Sequence, residues 1–379
     1  MTGALPMPIP GVSGPGPTGI RPAAPGKLPK QKAPNMRTER IPVEPASIER
    51  AAEILRAGGL VAFPTETVYG LGARADDENA VKKIFEAKGR PPGNPLIVHV
   101  RGAAEAAEIA AEWPPEAERL AAAFWPGPLT LVVARRSGRV ADAATAFGPT
   151  VALRVPAHPV ARALLDACRL PIAAPSANRS TSISPTTADH VLKSLDGRID
   201  AVLDGGPAGY GIESTIVDIT SLPANLLRQG AIEEADIAAI VPLIDRSGGE
   251  VSAGERARAP GMHARHYAPR ARVVLAAPGE AANEARAARS QWGAKKVGAI
   301  GLQGSADADE IARLSKGADP LCAWIEILPA AAPGYAAGLY AALHRVDDAG
   351  CDWLIIAAVP GAPAWAAVRD RLLRASAAP

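Results

Sequence analysis

VAFPTETVYGLGARADDENAVKKIFEAKGRPPGNPLIVHV, residues 61–100, reads as a strand, a helix and a second strand joined by polar turns, which makes the chain an α/β protein. LVAF (60–63) and PLIVHV (95–100) are apolar runs of buried-strand length, and the helix over Asn79–Lys88 turns Val81, Ile84 and Phe85 inward. Thr65, Thr67 and Tyr69 follow the first strand. Lys88 and Arg90 sit on a turn stiffened by glycine and proline, with no acidic residue from Ala87 through Arg101. Two cations with no acid nearby in sequence mark a candidate anion site. The competing reading is helix C-terminal charge opposing the macrodipole, and His99 taken alone is a core histidine.

The same texture extends outward. Ser47 is placed to cap a helix with Ile48, Ala51, Ala52 and Leu55 on its inner face, ending at Gly58-Gly59. One helix is expected between 103 and 124, then strands at 129–133 and 151–155, a helix through Ala161–Cys168 and a strand at 171–174. Ser184-Pro185 reads as a helix start. Strands at 201–206, 214–219 and 226–230 complete a mixed α/β domain over 41–232. Apolar periodicity fades over 233–272, a linker long enough to cover a site. Strands and helices then alternate strictly from 273 to 379, as in a smaller, Rossmann-like parallel α/β domain.

Residues 1–36 hold nine prolines and six glycines without apolar periodicity, so the first 40 residues read as a disordered tail. GxGxxG at Gly14, Gly16 and Gly19 has no strand before it and no helix after it, which removes it as a dinucleotide fingerprint. Net charge is +2, with +5 in residues 1–40 and therefore −3 in the remainder, which excludes a general nucleic-acid coat. Three widely spaced cysteines, no apolar run of membrane-spanning length and no signal-peptide core give the expectation of a soluble, cytoplasmic protein.

P-loop, HExxH and GxSxG motifs are absent. His263 and His266 are a near miss for a metal pair, without a carboxylate or cysteine close by, and no resident metal site is expected. What remains are polar side chains at strand ends, where open α/β sheets bind ligands: Thr65, Thr67, Ser176, Asn178, Ser184, Ser214 and Arg228. By itself PSANRSTSIS reads more readily as a polar turn before a capped helix than as a binding loop.

Together, FPTETVYGLG (63–72), KGRPPGNPLIVH (88–99), WPGPLTLV (125–132), VALRVPAHP (151–159), APSANRSTSISPT (174–186), GIESTIVDI (211–219), LLRQG (226–230) and HYAP (266–269) resemble the threonylcarbamoyl-AMP synthases of the Sua5/YrdC family. The resemblance spans about 45–379 and implies a YrdC-like twisted mixed sheet followed by the C-terminal domain of the longer Sua5 form. It implies a nucleotidyltransferase that makes threonylcarbamoyl-AMP and pyrophosphate from L-threonine, bicarbonate or carbon dioxide, and ATP. The product would supply the threonylcarbamoyl-transfer machinery that modifies tRNA. Carried over by motif, Thr67, His99, Arg154, Ala174 (through its backbone) and Ser214 would hold threonine. Lys88, Arg90, Asn94, Thr150, Ser176, Asn178, Ser184, Arg228 and Tyr267 would hold ATP, with Lys88 and Arg90 the catalytic cations on its phosphates. Magnesium would accompany ATP, and His266 and Tyr267 would close over the site. Two alternatives stand beside this: an RNA-binding module with weak contacts through Lys82, Lys83, Lys88 and Arg90, and a carbamoyl-transfer domain like that of hydrogenase maturation proteins, whose acylphosphatase and zinc-finger segments this chain lacks.

Overall fold

A computed structural model describes residues 37–244, 267–316 and 320–377. The Pro/Gly-rich tail through residue 36, His263 and His266 lie outside the described residues. The large sheet contains β1 (Glu39–Pro42), β2 (Val61–Phe63), β3 (Gly70–Arg74), β4 (Ile97–His99), β5 (Leu129–Ala134), β6 (Thr150–Arg154), β7 (Ile172–Ala173), β8 (Ala201–Asp204), β9 (Thr215–Asp218) and β10 (Asn225–Arg228). Their spatial order is β1-β8-β2-β3-β7-β4-β6-β5-β9-β10, with parallel and antiparallel pairs mixed.

Helices cover both faces of this sheet. Along β2, Val61 and Phe63 join one buried cluster while Leu60 and Ala62 join the other, as a two-residue side-chain period requires. On one face, α1 (Pro45–Arg56) and α5 (Pro159–Cys168) pack Leu55 and Leu164 against β2. On the other, α2 (Glu78–Lys88), α3 (Ala103–Ile109), α4 (Pro115–Phe124) and α6 (Ala188–Leu195) bury Val81, Ile84, Leu120 and Val191. Truncating one such leucine to alanine costs about 2–5 kcal/mol.

Several local expectations are corrected. Strand β1 pairs with β8 and Thr38 is buried, so residues 38–40, expected in the tail, belong to the fold. Helix α1 starts at Pro45, whose locked φ suits the first turn, and Ser47 does not cap it. The helix expected over 103–124 is two, because Pro114 and Pro115 interrupt it. Ser184 does not start a helix; α6 begins at Ala188 under a Thr187 cap, and the Ser184 hydroxyl is committed elsewhere. Strand β3 escapes sequence reading because glycine disfavours strands. Here glycine is required: a Cβ on Gly72 would lie 2.8 Å from the Phe63 ring.

After α7 (Glu234–Ala238), the chain enters a second sheet of β11 (Arg272–Leu275), β12 (Val297–Leu302), β13 (Cys322–Leu328) and β14 (Trp353–Ile356), all parallel in the order β11-β14-β12-β13. One face holds α8 (Ala281–Ser290) and α9 (Ala306–Leu314); the other holds α10 (Ala332–Asp348) and α11 (Ala366–Ser376). This is the doubly wound arrangement expected from the strict alternation. The core under α10 and α11 continues into Val68, Ile183, Ile212 and Tyr267, so the helices of the second sheet pack against loop residues, of which Val68 and Tyr267 line a pocket.

Candidate active site

The turn after β2 is built by Thr65. Its hydroxyl donates to the Val68 carbonyl at 2.6 Å and lies 2.8 Å from the Thr67 hydroxyl, a local side-chain turn that aims Thr67 across the sheet. Strands β4 and β6 are parallel neighbours with His99 opposite Arg154, so their last residues stand side by side. Arg154 Nη1 donates to Thr67 Oγ1 at 3.0 Å, and Nη2 donates to Glu66 Oε1 at 2.7 Å. All four residues are buried. Burial and the Arg154 charge bring His99 down to about 3, so its imidazole is neutral. Among the described residues, His99 Nδ1 and Glu66 Oε2 have no hydrogen-bond partner.

A cationic wall faces this group. Gly89 closes α2 in the left-handed region at φ 62°, a conformation that glycine adopts without strain, and swings Arg90 into the pocket. Arg90 Nη2 donates to the Pro95 carbonyl at 3.1 Å, while its buried Nε has no acceptor among the described residues. Burial lowers Arg90 to about 10 despite the nearby Tyr267, and Arg228 lowers it further. Arg228 ends β10 and donates to the Ser214 carbonyl at 3.0 Å and hydroxyl at 3.1 Å. Ser214 Oγ also lies 2.8 Å from Thr130 Oγ1. A buried cluster of like charges is costly unless an anion joins it.

The pocket between these walls is lined by Thr67, Arg90, His99, Arg154, Ala174, Ser176, Ser214, Arg228 and Tyr267, nine of the fourteen residues singled out from sequence. The other five are placed differently. Lys88 is buried behind the wall, where its ammonium binds the Ser176 carbonyl and, at 2.5 Å, the Asn178 carbonyl; burial and then Arg90 push its pKa well below lysine's ordinary value. It therefore holds the loop that presents Ser176. Asn178 Oδ1 accepts from Ser176 Oγ at 2.6 Å, and its amide donates to the Ser182 carbonyl. The Asn94 carbonyl lies 3.4 Å from Arg90 Nη2. Ser184 donates to Glu213 at 2.6 Å. Thr150 opens β6, the strand that Arg154 ends, about 13 Å away by strand rise.

Two acids were missed in sequence. Glu66 lies inside the quoted FPTETVYGLG segment and compensates Arg154; an acid within a largely apolar run was its only signal. Glu213 lines the pocket, and although burial alone would raise its pKa, Arg371 and Arg228 hold it at about 2. The basic surface considered for RNA does not form from its four residues. Lys88 and Arg90 are buried, Lys82 pairs with Glu78 at 3.5 Å, and Lys83 donates to the Gly58 carbonyl. Among the described residues no group of three or more His, Cys, Asp or Glu could hold a metal, and no helix is long and apolar enough to cross a membrane.

Fold and pocket define a two-sheet α/β protein whose described residues enclose a buried pocket with Arg90 and Arg228 on one wall and Thr67, His99 and Arg154 on the other. Residues 53–230 match the Sua5/YciO/YrdC family model, described as telomere recombination, and residues 232–377 match the model described as threonylcarbamoyl-AMP synthase, C-terminal domain. A Pyrococcus abyssi protein named threonylcarbamoyl-AMP synthase is 42% identical over 346 residues, covering 88% of this chain and 95% of that one. A Bacillus subtilis protein of the same name is 38% identical over 342 residues, covering 89% and 95%. The crystal structure of P. abyssi Sua5 complexed with L-threonine superposes with a TM-score of 0.77 at 40% identity, covering 89% of this chain and 97% of that one. The chain belongs to the threonylcarbamoyl-AMP synthase (Sua5/YrdC) family.

Proposed function

We propose that this pocket is the active site of an L-threonylcarbamoyladenylate synthase, a nucleotidyltransferase that converts L-threonine, bicarbonate or carbon dioxide, and ATP into threonylcarbamoyl-AMP and pyrophosphate. The observation that carries the reading is Arg90 Nε, a buried cationic donor without an acceptor among the described residues, across one pocket from the Thr67, His99 and Arg154 cluster. The relatives' names and the threonine complex of the P. abyssi protein support the same reaction.

Threonine is assigned to Thr67, His99, Arg154, Ser214 and the Ala174 backbone. Arg154 meets its carboxylate in competition with Glu66. The unpartnered Glu66 Oε2 and His99 Nδ1 are acceptors for its amine and hydroxyl protons. ATP phosphates take Arg90 and Arg228, with Tyr267 beside them and Ser176 presented by Lys88 and Asn178. Asn94 and Thr150, at the opposite ends of β4 and β6 from His99 and Arg154, are left for the far end of the nucleotide. The threonine amine attacks carbon dioxide and loses a proton, forming the N–C bond of a carbamate. A carbamate oxygen then attacks the α-phosphorus, and the bond to pyrophosphate breaks.

No side chain becomes a covalent nucleophile; catalysis comes from aligning two anions and offsetting the charge that builds on the phosphates. Glu213 has both oxygens engaged, Glu66 pairs with Arg154 through one oxygen, and no acidic metal cluster forms among the described residues, so magnesium would come with ATP and would help offset charge on the phosphates. Residues 41–232 are read as the catalytic unit and a cytoplasmic tRNA-modifying system as the consumer of the product; of the linker expected over 233–272 to cover the site, residues 245–266 lie outside the described residues. Pyrophosphate release from ATP is the test, with threonine and bicarbonate omitted singly. Release must require both and fall at least about 100-fold in Arg90→Ala; release independent of either substrate overturns the reading.

A further inference from the structure

Resting on the synthase reading, we infer that the C-terminal domain is a working part of the site: Arg371 on α11 and Tyr340 on α10 are positioning residues that, through Glu213, fix Tyr267 on the phosphate side of the pocket.

Glu213 immediately precedes Ser214, and every described hydrogen bond to its carboxylate comes from residues that do not line the pocket. Oε2 accepts from Arg371 Nε at 2.8 Å and from the Tyr340 hydroxyl at 2.9 Å, and Oε1 accepts from Ser184 Oγ at 2.6 Å. A carboxylate with three donors is an anchor rather than a base. Arg371 is 1% exposed and uses its whole guanidinium: Nη1 donates to Asp370 at 2.6 Å and Nη2 to the carbonyl of Gln229, next to Arg228, at 3.0 Å. The face of that guanidinium lies 5.2 Å from the centre of the Tyr267 ring, and the Tyr340 ring stacks on Tyr267 at 5.6 Å and 30°. Both contacts restrain where the ring can sit.

Tyr267 needs such support. Its φ of 62° lies in the left-handed region, which side-chain-bearing residues seldom occupy, and only the surrounding packing can hold it there. From that position it lines the pocket with Arg90 and Arg228. A domain interface that only had to stick would do as well or better with apolar side chains in place of a buried ion pair. The hydrogen-bonded pair instead connects α11 to the chain one residue from Ser214 and one residue from Arg228. Of the residues assigned to threonine, Thr67, His99 and Arg154 make no described hydrogen bond to this cluster, and only Ser214, next to Glu213 and bonded by Arg228, adjoins it.

The inference therefore separates the two substrates. In the full-length double variant Glu213→Gln/Arg371→Met, which removes the charges as a pair, kcat/KM for ATP should fall about 100-fold, as expected for a reacting group displaced by about 1 Å, while calorimetric threonine affinity, which the cluster reaches only through Ser214, falls by less than about tenfold. Tyr340→Phe and Arg371→Lys, which keep the ring and the charge respectively, should each lower kcat/KM for ATP by about tenfold, and they carry the test if the double variant does not fold. Unchanged ATP kinetics in a folded variant overturns the inference, as does a parallel loss of threonine and ATP binding, which would mark a general structural role. The parent enzyme is assayed first: absence of threonine-dependent pyrophosphate release there removes the synthase reading and this inference with it, whereas an active parent with insensitive variants removes only the inference.

Discussion

Replacing Glu213 by glutamine should alter how the stability of this protein depends on pH. The carboxyl falls from the ordinary 4.5 to about 2 in the fold, where burial opposes ionisation and Arg371 and Arg228 overcome it. A depressed carboxylate contributes stability that is fully present above its unfolded pKa and disappears as pH falls through the folded one, here from about 4.5 down to about 2. The difference corresponds to about 3 kcal/mol at neutral pH, of which about 2 kcal/mol is gone by pH 3. Urea unfolding of parent and Glu213→Gln from pH 7 to pH 3 measures it. The parent should be the more stable at pH 7, and its margin over the variant should shrink by about 2 kcal/mol across that range. A margin that stays constant would falsify the assignment of Glu213 as an ionised anchor.

Three further outcomes follow from the site geometry. Gly230→Ala puts a Cβ 2.2 Å from the Thr215 nitrogen and 2.4 Å from the Ser214 carbonyl carbon, so the β9–β10 corner must shift; loss of more than about 3 kcal/mol in denaturant unfolding is expected, and a neutral effect would show that the corner yields easily. Thr181→Gly relieves a β-branched residue at φ 67° in the loop beside Asn178; relief of roughly 1–2 kcal/mol of strain, less the entropy cost of glycine, should raise the melting temperature slightly, and a fall would refute the strain. Because His99 is lowered to about 3, threonine affinity should show no inflection near 6.5 between pH 5 and 8; an inflection that vanishes in His99→Gln would place the histidine's titration in that range.

Residues 61–100 show how legible the site was. Two strands, the helix, the inward face of Val81, Ile84 and Phe85, and the importance of the turn at Lys88 and Arg90 all come from local pattern. The role of each cation does not. Both have no sequence-local acid, yet Arg90 enters the pocket while Lys88 is spent on the carbonyls of Ser176 and Asn178, a partnership across 88 and 90 positions. Thr150 and Arg154, four residues apart on one strand, stand at opposite ends of the region assigned to ligand.

The sequence by itself determined the α/β class, the alternation that makes the second sheet parallel, and the family, because strand and helix periods and contiguous motifs are local properties of the chain. Only the tertiary structure decided which charges are paired. Glu66 meets Arg154 over 88 positions, and Glu213 meets Arg371 over 158. No spacing rule connects such residues; the folded sheets bring them together, and burial then makes each pairing consequential by removing the water that would otherwise screen it.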